Sequence, residues 1–287
     1  MSISLENVTH LYSEGTPLQV NALDDVSLEI EPGEFLGIIG QTGSGKSTLI
    51  QHINGLLKPS RGKIYLEGQD ITLKGVNLRL IRQRIGMIFQ YPEQQLFEET
   101  VFEDIAFGPR NMRLEETEVA LRVEEALALV GLDFNHLKDR SPFQLSGGQR
   151  RRVAIAGVLA MKPDYLILDE PTANLDPRGR DEILTLLEEL NKKEKVTIIL
   201  VSHSMEEIAR VVNRLVVIHQ GKIITTGPLA KVFSQGEELE SIGLSLPQIT
   251  SLMHSLQKAG KQMTTEIFTP EQAVKEIISA IRGKNYV

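Results

Sequence analysis

Short apolar runs alternate along this chain with segments whose apolar residues recur at helical spacing. Apolar runs of strand length occupy 35–39, 165–168, 196–201 and 215–219. Helical patterns occupy 47–57, 181–191 and 205–212. Apolar strands separated by helices are typical of a mostly parallel sheet that helices cover on both faces. The pattern therefore predicts an α/β fold.

Two other regions depart from this alternation. The first thirty residues have the pattern of short β segments, and 61–70 has that of a hairpin strand with its turn. Residues 93–160 are rich in helix formers and contain few β-branched runs, with helices predicted at 115–130 and 153–161. We interpret 93–160 as a helical subdomain inserted into the α/β core.

The pattern changes again after about residue 236. Within 247–260, apolar residues at i, i+3, i+4 and i+7 predict one helix face: Ile249, Leu252, Met253 and Leu256. Thr269 and Pro270, with Gln272 three residues after the threonine, predict the start of a second helix. Its apolar stripe is Val274, Ile277, Ile278 and Ile281. We expect two amphipathic helices that pack against this chain or a partner, because their polar faces are not basic enough for a membrane surface.

Composition narrows the possible functions. The 287 residues carry a net charge of −7, and an acidic protein is a poor candidate for electrostatic capture of nucleic acid. The absence of cysteine excludes disulfides and thiolate metal sites. Residues 1–12 lack the pattern of a signal peptide, and no run approaches the roughly 20 apolar residues of a membrane-spanning helix. If the protein serves a membrane process, we expect other chains to span the membrane.

A glycine-rich segment follows the apolar run at 35–39 and fits the pattern G-x-x-x-x-G-K-[ST]. It consists of Gly40, Gln41, Thr42, Gly43, Ser44, Gly45, Lys46, Ser47 and Thr48. Glycines leave backbone N–H groups bare for a phosphate chain, and the helix that follows presents its positive N-terminal end. We assign Lys46 to the β- and γ-phosphates and the Ser47 hydroxyl to Mg²⁺. The motif and its strand–loop–helix context predict nucleotide binding.

Two carboxylates follow the apolar run at 165–168. Asp169 and Glu170 are expected beside the phosphates, because α/β folds bind ligands at the carboxyl ends of buried parallel strands. Asp169 can hold Mg²⁺ directly or through water, and Glu170 is placed to orient or deprotonate the attacking water. Without the phosphate loop, solvated strand-end charges would explain the pair equally well.

The segment 145–149, LSGGQ, resembles the signature of the ATP-binding cassette (ABC) ATPases. The resemblance covers residues 1 to about 230, and it implies an ATP-binding domain at 1–236. The implied fold is a P-loop nucleotidase core of the RecA-like type, with an antiparallel β subdomain and an inserted helical signature subdomain. The implied ligands are ATP and Mg²⁺.

The residue types of the signature segment are suited to binding an anion at a helix start. Ser146 is a natural helix cap, and Gly147 and Gly148 leave N–H groups bare at a helix start. In the family, this segment faces the γ-phosphate that a second subunit holds, so that two chains sandwich two ATP molecules. The resemblance therefore adds Ser146, Gly147, Gly148 and Gln149 to the nucleotide-binding residues.

Four more residues match family positions. Gln90 looks like the glutamine that senses the γ-phosphate and Mg²⁺, and His203 looks like the switch histidine that contacts the γ-phosphate. Asp176 lies in a loop, 174–177, that resembles the one crossing between subunits. Tyr12 lies where the family usually places an aromatic residue that stacks on adenine. Taken alone, His203 would be an ordinary histidine, and a strand-end tyrosine would equally be a packing residue.

Three arginines and one asparagine also require an interpretation. We interpret Arg150, Arg151 and Arg152 as the exposed start of the helix after LSGGQ, partly neutralised by neighbours, rather than as a patch that binds nucleic acid. Asn174 stands where many relatives have glycine, a departure that affects none of the catalytic assignments.

The segments 90–101 (QYPEQQLFEETV) and 104–111 (DIAFGPRN) resemble the ATPases of energy-coupling factor (ECF) transporters, especially the second of their two ATPases. In cassette importers this region borders the groove that receives a coupling helix. The resemblance implies a complex with a second, different ABC ATPase, a transmembrane coupling protein and a small membrane protein that captures a vitamin or metal ion. It places the chain at the cytoplasmic face of the cell membrane and assigns 237–287 to contact between the two ATPases.

The alternative functions belong to other classes of protein. The chain could serve another ABC importer or exporter, or act as a soluble ABC protein in DNA repair or translation. The repair type would need a long heptad insertion, and the translation type usually has two cassettes in one chain; the sequence has neither. A P-loop kinase or GTPase would lack LSGGQ.

Overall fold

The computed structural model describes residues 2–261 and 263–282. Its strands are β1 (Ile3–Tyr12), β2 (Val20–Ile30), β3 (Phe35–Ile39), β4 (Arg61–Leu66), β5 (Gln69–Asp70), β6 (Ile85–Ile88), β7 (Tyr165–Asp169), β8 (Thr197–Val201), β9 (Arg214–His219) and β10 (Lys222–Pro228). Four of them form an antiparallel sheet in the order β2-β1-β4-β5. The other six form a sheet in the order β10-β9-β3-β8-β7-β6.

The six-stranded sheet is parallel except at one edge. β3 pairs in parallel with β8 and β9, and β7 pairs in parallel with β6 and β8. β10 alone among its described strands is antiparallel, to β9. The carboxyl ends of β3, β6, β7 and β8 therefore lie along the same edge of the sheet. This confirms the predicted α/β fold with a mostly parallel sheet.

The helices are α1 (Lys46–Ile53), α2 (Leu78–Arg84), α3 (Val101–Asn111), α4 (Glu116–Leu129), α5 (Phe134–Leu137), α6 (Gly147–Leu159), α7 (Pro177–Glu194), α8 (Met205–Val211), α9 (Leu229–Phe233), α10 (Gly236–Ser241), α11 (Gln248–Lys258) and α12 (Pro270–Arg282). Helices α3 to α6 separate β6 from β7 and pack against one another, as predicted for the inserted helical region. None of the described helices is long and apolar enough to cross a membrane.

The parallel sheet lies between two apolar layers because successive strand side chains point to opposite faces. On one face, Leu168 and Leu200 join buried side chains of α3, α6, α7 and α8. On the other face, Ile167 and Ile199 join buried side chains of α1 and of the antiparallel sheet. The sheet is thus held from both sides, which gives the loops at its carboxyl edge a rigid base.

Several helices differ in length from the predicted ones, and the ends of two of them explain why. A third, predicted at 153–161, spans Gly147–Leu159. The helix predicted at 47–57 ends at Ile53, because Gly55 adopts the left-handed conformation (φ 71°) that commonly terminates helices. The helix predicted at 181–191 is longer and begins at Pro177. There the Asp176 carboxylate accepts a hydrogen bond from the backbone N–H of Gly179 at 2.7 Å, which caps the first turn.

The two C-terminal helices form where the apolar stripes predict them. Thr269 and Gln272 cap the start of α12 reciprocally, and α11 and α12 enclose a small core of Met253, Ile267 and Ala273. Among the described side chains of the predicted stripes, three stay exposed: Leu252, Val274 and Ile278. The side chain of Ile281 and the end of the predicted extension, 283–287, lie outside the described residues.

Candidate functional site

The phosphate loop runs from the end of β3 to the start of α1 and is built around two close backbone approaches. A Cβ atom on Gly40 would lie 2.2 Å from the carbonyl oxygen of Ile218, and one on Gly45 would lie 2.4 Å from that of Ala22. Gly45 also has a φ of 109°, which disfavours any other residue. Thr42 and Gly43 are exposed at the tip of the loop. The loop conformation therefore requires glycine at the positions where the motif places it.

Among the described residues, one polar side chain of the loop has no hydrogen-bond partner and a second donates only to backbone carbonyl oxygens. The Oγ of buried Ser44 has no hydrogen-bond partner among the described residues. The Lys46 Nζ donates to the carbonyl oxygens of Gly40 and Gln41, at 2.7 and 2.9 Å. Burial lowers the pKa of Lys46, while the charges of Glu170 and Asp169 oppose the shift. A phosphate chain fits this loop because it would supply the missing acceptors for a hydroxyl, a cation and a helix N-terminus.

Asp169 and Ser47 meet at the end of β7. The Ser47 hydroxyl donates to Asp169 Oδ2 at 3.1 Å. Burial raises the pKa of Asp169, and the neighbouring charge of Glu170 adds to the rise. A carboxylate, a serine hydroxyl and the amide oxygen of nearby Gln90 are the oxygen donors that Mg²⁺ prefers. No group of three or more His, Cys, Asp and Glu side chains suited to a metal occurs among the described residues, so phosphate oxygens or waters would complete the coordination.

Gln90, Glu170 and His203 converge although they come from three different strands. Gln90 Nε2 donates to Glu170 Oε2 at 3.3 Å, and His203 Nδ1 lies 3.3 Å from Glu170 Oε1. The convergence follows from the sheet order, because β6, β7 and β8 are neighbours and run parallel. The exposed His203 leaves its ring accessible to a ligand.

The phosphate loop, Glu170 and His203 line a cavity of about 920 Å³. One wall of this cavity was not predicted from the sequence: it is formed by Glu206 and by residues 243–248, which link α10 to α11. Gly243 lies directly against the side chain of Gln41, and the backbone N–H of Gln248 donates to Glu206 Oε1 at 3.3 Å. The junction to the C-terminal helices is therefore part of the cavity wall.

The signature segment forms an open helix start away from this cavity. Ser146 Oγ accepts from the Gln149 N–H at 3.3 Å, and Gln149 Oε1 accepts from the Ser146 N–H at 3.1 Å. This reciprocal cap fixes the first turn of α6. A Cβ on Gly147 or Gly148 would meet no atom within 4 Å. The open surface therefore leaves room for an outside group to approach the backbone.

The other two predicted residues occupy more peripheral positions. Tyr12 ends β1 with 40% of its surface exposed, and its hydroxyl lies 3.3 Å from Thr48 Oγ1. Asp176 is the cap of α7, described above, so one of its carboxylate oxygens is already engaged within the chain. The neighbouring Asn174 has a positive φ of 61° and donates to the Tyr91 hydroxyl at 3.2 Å.

The interpretation of the three arginines as an exposed helix start is wrong for Arg151. Its side chain is buried, and its guanidinium donates to both oxygens of Glu93 and to the carbonyl oxygens of Pro171 and Ala173. Burial alone would raise the pKa of Glu93, but the hydrogen bonds from Arg151 hold it below its ordinary value. Arg151 thus ties the helical region to the loop after Glu170. Counting charged residues along the sequence cannot identify such a residue, because its role depends on hydrogen-bond acceptors that are distant in the sequence.

Glu207 is a second residue that sequence reasoning missed. This buried carboxylate accepts hydrogen bonds from Thr172 Oγ1 at 2.7 Å and from Ser202 Oγ at 3.0 Å. Arg180 Nε lies 3.3 Å from its other oxygen as an ion pair. Thr172 follows Glu170 by two residues, and Ser202 precedes His203. Glu207 therefore joins the loops that carry the carboxylate and the histidine.

Comparison with known proteins agrees with this geometry. Residues 23–173 match the family described as "ABC transporter", and this range includes the phosphate loop, the signature segment and both strand-end carboxylates. The chain belongs to the ABC transporter family. It is an ABC ATPase and binds ATP.

Relatives of this ABC ATPase match it along its whole length. The chain is 56% identical over 284 residues to the energy-coupling factor transporter ATP-binding protein EcfA2 of Clostridium tetani, covering 99% of each chain. It is 56% identical over 287 residues to the protein of that name from Caldanaerobacter subterraneus, covering 100% of each.

Two solved structures are similar to it. One is cbiO1 from Clostridium perfringens, described as part of the ABC transporter complex cbiONQ, with a TM-score of 0.74 and 41% identity over 88% of this chain and 98% of that one. The other is the ATP-binding cassette MJ0796 in a dimeric post-hydrolysis state with ADP and Pi, with a TM-score of 0.71 and 32% identity over 79% of this chain and 98% of that one.

Arg151→Ala should lower the free energy of unfolding by about 3 kcal/mol, because it removes the buried guanidinium that pairs with the partly buried Glu93 carboxylate and donates to two backbone carbonyl oxygens. Chemical denaturation measures the loss. Arg152→Ala is the matched control, since Arg152 forms only a partly exposed 3.7 Å pair with Glu182 and should cost less than about 1 kcal/mol. Equal losses for the two variants would contradict the structural role given to Arg151.

Glu207→Ala should lower the kcat for ATP hydrolysis by about tenfold or more while leaving ATP affinity unchanged, because it frees the two loops that orient Glu170 and His203. Glu207→Gln keeps an acceptor oxygen for the two hydroxyls and should retain more activity. Steady-state hydrolysis and equilibrium ATP titration separate the two effects. A parallel loss of affinity and kcat in Glu207→Ala would show general damage instead.

Proposed function

We propose that this chain is the ATP-hydrolysing subunit of an ECF importer, which couples ATP hydrolysis to the uptake of vitamins or other micronutrients through membrane partners. The observation that carries the catalytic part is the convergence of Gln90, Glu170 and His203 beside the phosphate loop. The full-length similarity to proteins named ECF transporter ATP-binding protein supports the transport part.

In this proposal, one molecule of ATP lies along the loop 40–48. The bare N–H groups at the start of α1 and the Lys46 ammonium bind the β- and γ-phosphates, while Thr48 and the rest of the loop complete the cradle. Tyr12 offers its exposed ring to the adenine base. Ser47, Asp169 and Gln90 would hold Mg²⁺, which would supply charge neutralisation at the phosphates.

Hydrolysis needs a water, a proton acceptor and stabilisation of the transferring phosphoryl group. We assign the proton acceptor to Glu170, whose two oxygens face Gln90 and His203. As the water oxygen bonds to the γ-phosphorus, its proton passes to the Glu170 carboxylate, and the bond to the bridging oxygen of ADP breaks. Lys46 stabilises the negative charge of the transferring group, and His203, which lines the same cavity, contacts the γ-phosphate.

The proposed site is completed by a second cassette. The signature segment has bare backbone N–H groups at a capped helix start, but it does not line the cavity of its own chain. We infer that Ser146, Gly147, Gly148 and Gln149 bind the γ-phosphate held by the partner ATPase, and that Asp176 lies in the loop crossing between the two. ATP binding then favours the closed pair, and release of products favours the open pair.

A separate groove is suited to a membrane partner. A cavity of about 590 Å³ lies between α3, α6 and the segment before α3, with Leu96, Phe97, Phe107, Val158 and Met161 among its lining residues. Phe97 and Phe107 are 59% and 49% exposed and stack edge to face. Exposed aromatic side chains in a concave groove are typical of sites that receive an amphipathic helix. We assign this groove to a coupling helix of a transmembrane protein.

The proposed complex contains this chain, a second ABC ATPase, a transmembrane coupling protein and a small substrate-capture membrane protein. It holds the chain peripherally at the cytoplasmic face of the cell membrane. Residues 1–236 form the ATP-binding domain, with the helical subdomain at about 93–160. We assign the extension 237–287 to contact between the two ATPases, in keeping with the exposed Leu252, Val274 and Ile278.

Glu170→Gln should reduce ATP hydrolysis by about a hundredfold or more while ATP binding persists, because the amide cannot accept the proton of the attacking water. Cassette dimers should then accumulate in the presence of ATP, which size-exclusion chromatography with light scattering measures. Hydrolysis at the parent rate would contradict the assignment of Glu170 as the base.

Phe107→Asp should release the chain from the membrane fraction, because a carboxylate in the groove cannot be buried under an apolar helix. ATP hydrolysis by the purified chain should change by less than about twofold, since a surface substitution far from the site perturbs it little. The matched control is Leu121→Asp, an equally exposed apolar residue on α4. Fractionation of cells followed by immunoblotting measures the distribution. Unchanged membrane association of Phe107→Asp would contradict the groove assignment.

A further inference from the structure

Two histidines lie side by side beneath the end of β1. His10 is on β1 and only 8% exposed, while His52 is on α1 and fully buried. Their rings are 4.6 Å apart and stand nearly perpendicular. Buried imidazoles require hydrogen-bond partners because both ring nitrogens are polar. The hydrogen bonds of this pair connect it to the proposed nucleotide site.

The hydrogen bonds determine where the protons of the two rings lie. His52 Nδ1 is 2.7 Å from the Thr48 carbonyl oxygen, which can only accept, so Nδ1 carries the proton. In the neutral ring, His52 Nε2 is then an acceptor, and His10 Nδ1 lies 3.1 Å from it. The Lys58 carbonyl oxygen is 3.2 Å from the same His10 nitrogen. One proton on Nδ1 of each ring satisfies all three contacts.

This arrangement requires His52 to be neutral. A proton on His52 Nε2 would point at the N–H of His10, so a charged His52 would lose this bond. Burial lowers the pKa of His52, and the neighbouring His10 lowers it further, whereas the Thr48 carbonyl opposes the shift. The pair therefore behaves as a fixed hydrogen-bonded unit between β1 and α1.

The same unit reaches Tyr12. The His10 ring meets the Tyr12 ring edge to face, with centroids 4.5 Å apart and planes at 79°. The Tyr12 hydroxyl lies 3.3 Å from Thr48 Oγ1, and the carbonyl of Thr48 is the acceptor for His52. A closed circuit of contacts thus joins four residues: Tyr12, His10, His52 and Thr48. Thr48 belongs to the first turn of α1, the turn that carries Lys46 and Ser47.

We propose that His10 and His52 are positioning residues, which hold the Tyr12 ring in a fixed place relative to the phosphate-binding turn of α1. A half-exposed tyrosine at a strand end would otherwise exchange between side-chain rotamers. With the circuit intact, the Tyr12 ring and the phosphate-binding turn of α1 form one rigid unit. ATP therefore binds without the entropic cost of ordering Tyr12. The inference rests on the proposed contact between Tyr12 and adenine.

The test compares two ligands that share the phosphates and differ in the base: ATP and inorganic tripolyphosphate, each titrated with Mg²⁺ into the full-length chain by calorimetry. Tyr12→Ala should weaken ATP binding by about tenfold through loss of base stacking. His52→Leu, which keeps bulk but removes both ring nitrogens, should weaken it by about three- to tenfold. Tripolyphosphate should bind each variant as it binds the parent chain. The double variant Tyr12→Ala/His52→Leu should bind ATP no more weakly than Tyr12→Ala, because both act through one ring.

Two further variants keep the test decisive. His10→Leu removes the histidine on β1 and so breaks the same circuit. It replaces His52→Leu in the test if thermal unfolding shows that His52→Leu folds poorly. His136→Leu is the matched control, because His136 is an exposed histidine whose partner is the adjacent Asp133, and it should leave both affinities unchanged.

The outcomes separate this inference from the proposed function. If Tyr12→Ala binds ATP like the parent, the adenine contact fails and the inference fails with it. If Tyr12→Ala weakens ATP binding but the histidine variants bind like the parent, the positioning role alone is overturned. Equal weakening of ATP and tripolyphosphate in His52→Leu would show that His52 supports α1 in general, which also overturns the inference.

Discussion

The parallel pairing of β3, β8, β7 and β6 is the constraint on which the site depends. Because these neighbouring strands run in one direction, the segments after them emerge along one edge of the sheet. The phosphate loop, Gln90, the Asp169–Glu170 pair and His203 reach that edge from widely separated parts of the sequence. Apolar layers on both faces hold the sheet, so the positions of these side chains are determined by the core rather than by the loops alone.

Electrostatics at this edge favours an anionic ligand with a cation. Lys46 and Asp169 are both partly buried. Burial lowers the pKa of Lys46 and raises the pKa of Asp169, and in both cases this favours the neutral form. Opposite charges nearby offset only part of that cost. A triphosphate with Mg²⁺ would supply compensating charge to both groups, since phosphate oxygens attract the ammonium and the cation attracts the carboxylate. Binding energy is therefore concentrated where the chemistry takes place.

Much of this arrangement could be predicted from the sequence because its signals are local. Gly40 and Gly45 were predictable since close backbone approach requires glycine, and the apolar run at 165–168 predicted the strand at whose end Asp169 and Glu170 lie. Arg151, Glu207 and the wall at 243–248 were missed because their roles depend on partners distant in the chain. The early end of α1 was missed because the apolar pattern continues through Leu56 and Leu57, although Gly55 had already provided the stop signal.

In the proposed function, this chain works in a membrane complex with a second, different ABC ATPase. Affinity purification of the tagged chain from detergent-solubilised membranes, with mass-spectrometric identification of its partners, tests the claim most directly. We expect recovery of a second ABC ATPase, a polytopic membrane protein and small membrane proteins that capture the cargo. Recovery of soluble partners alone, or of nucleic acid, would contradict the transport function while leaving the ATPase core intact.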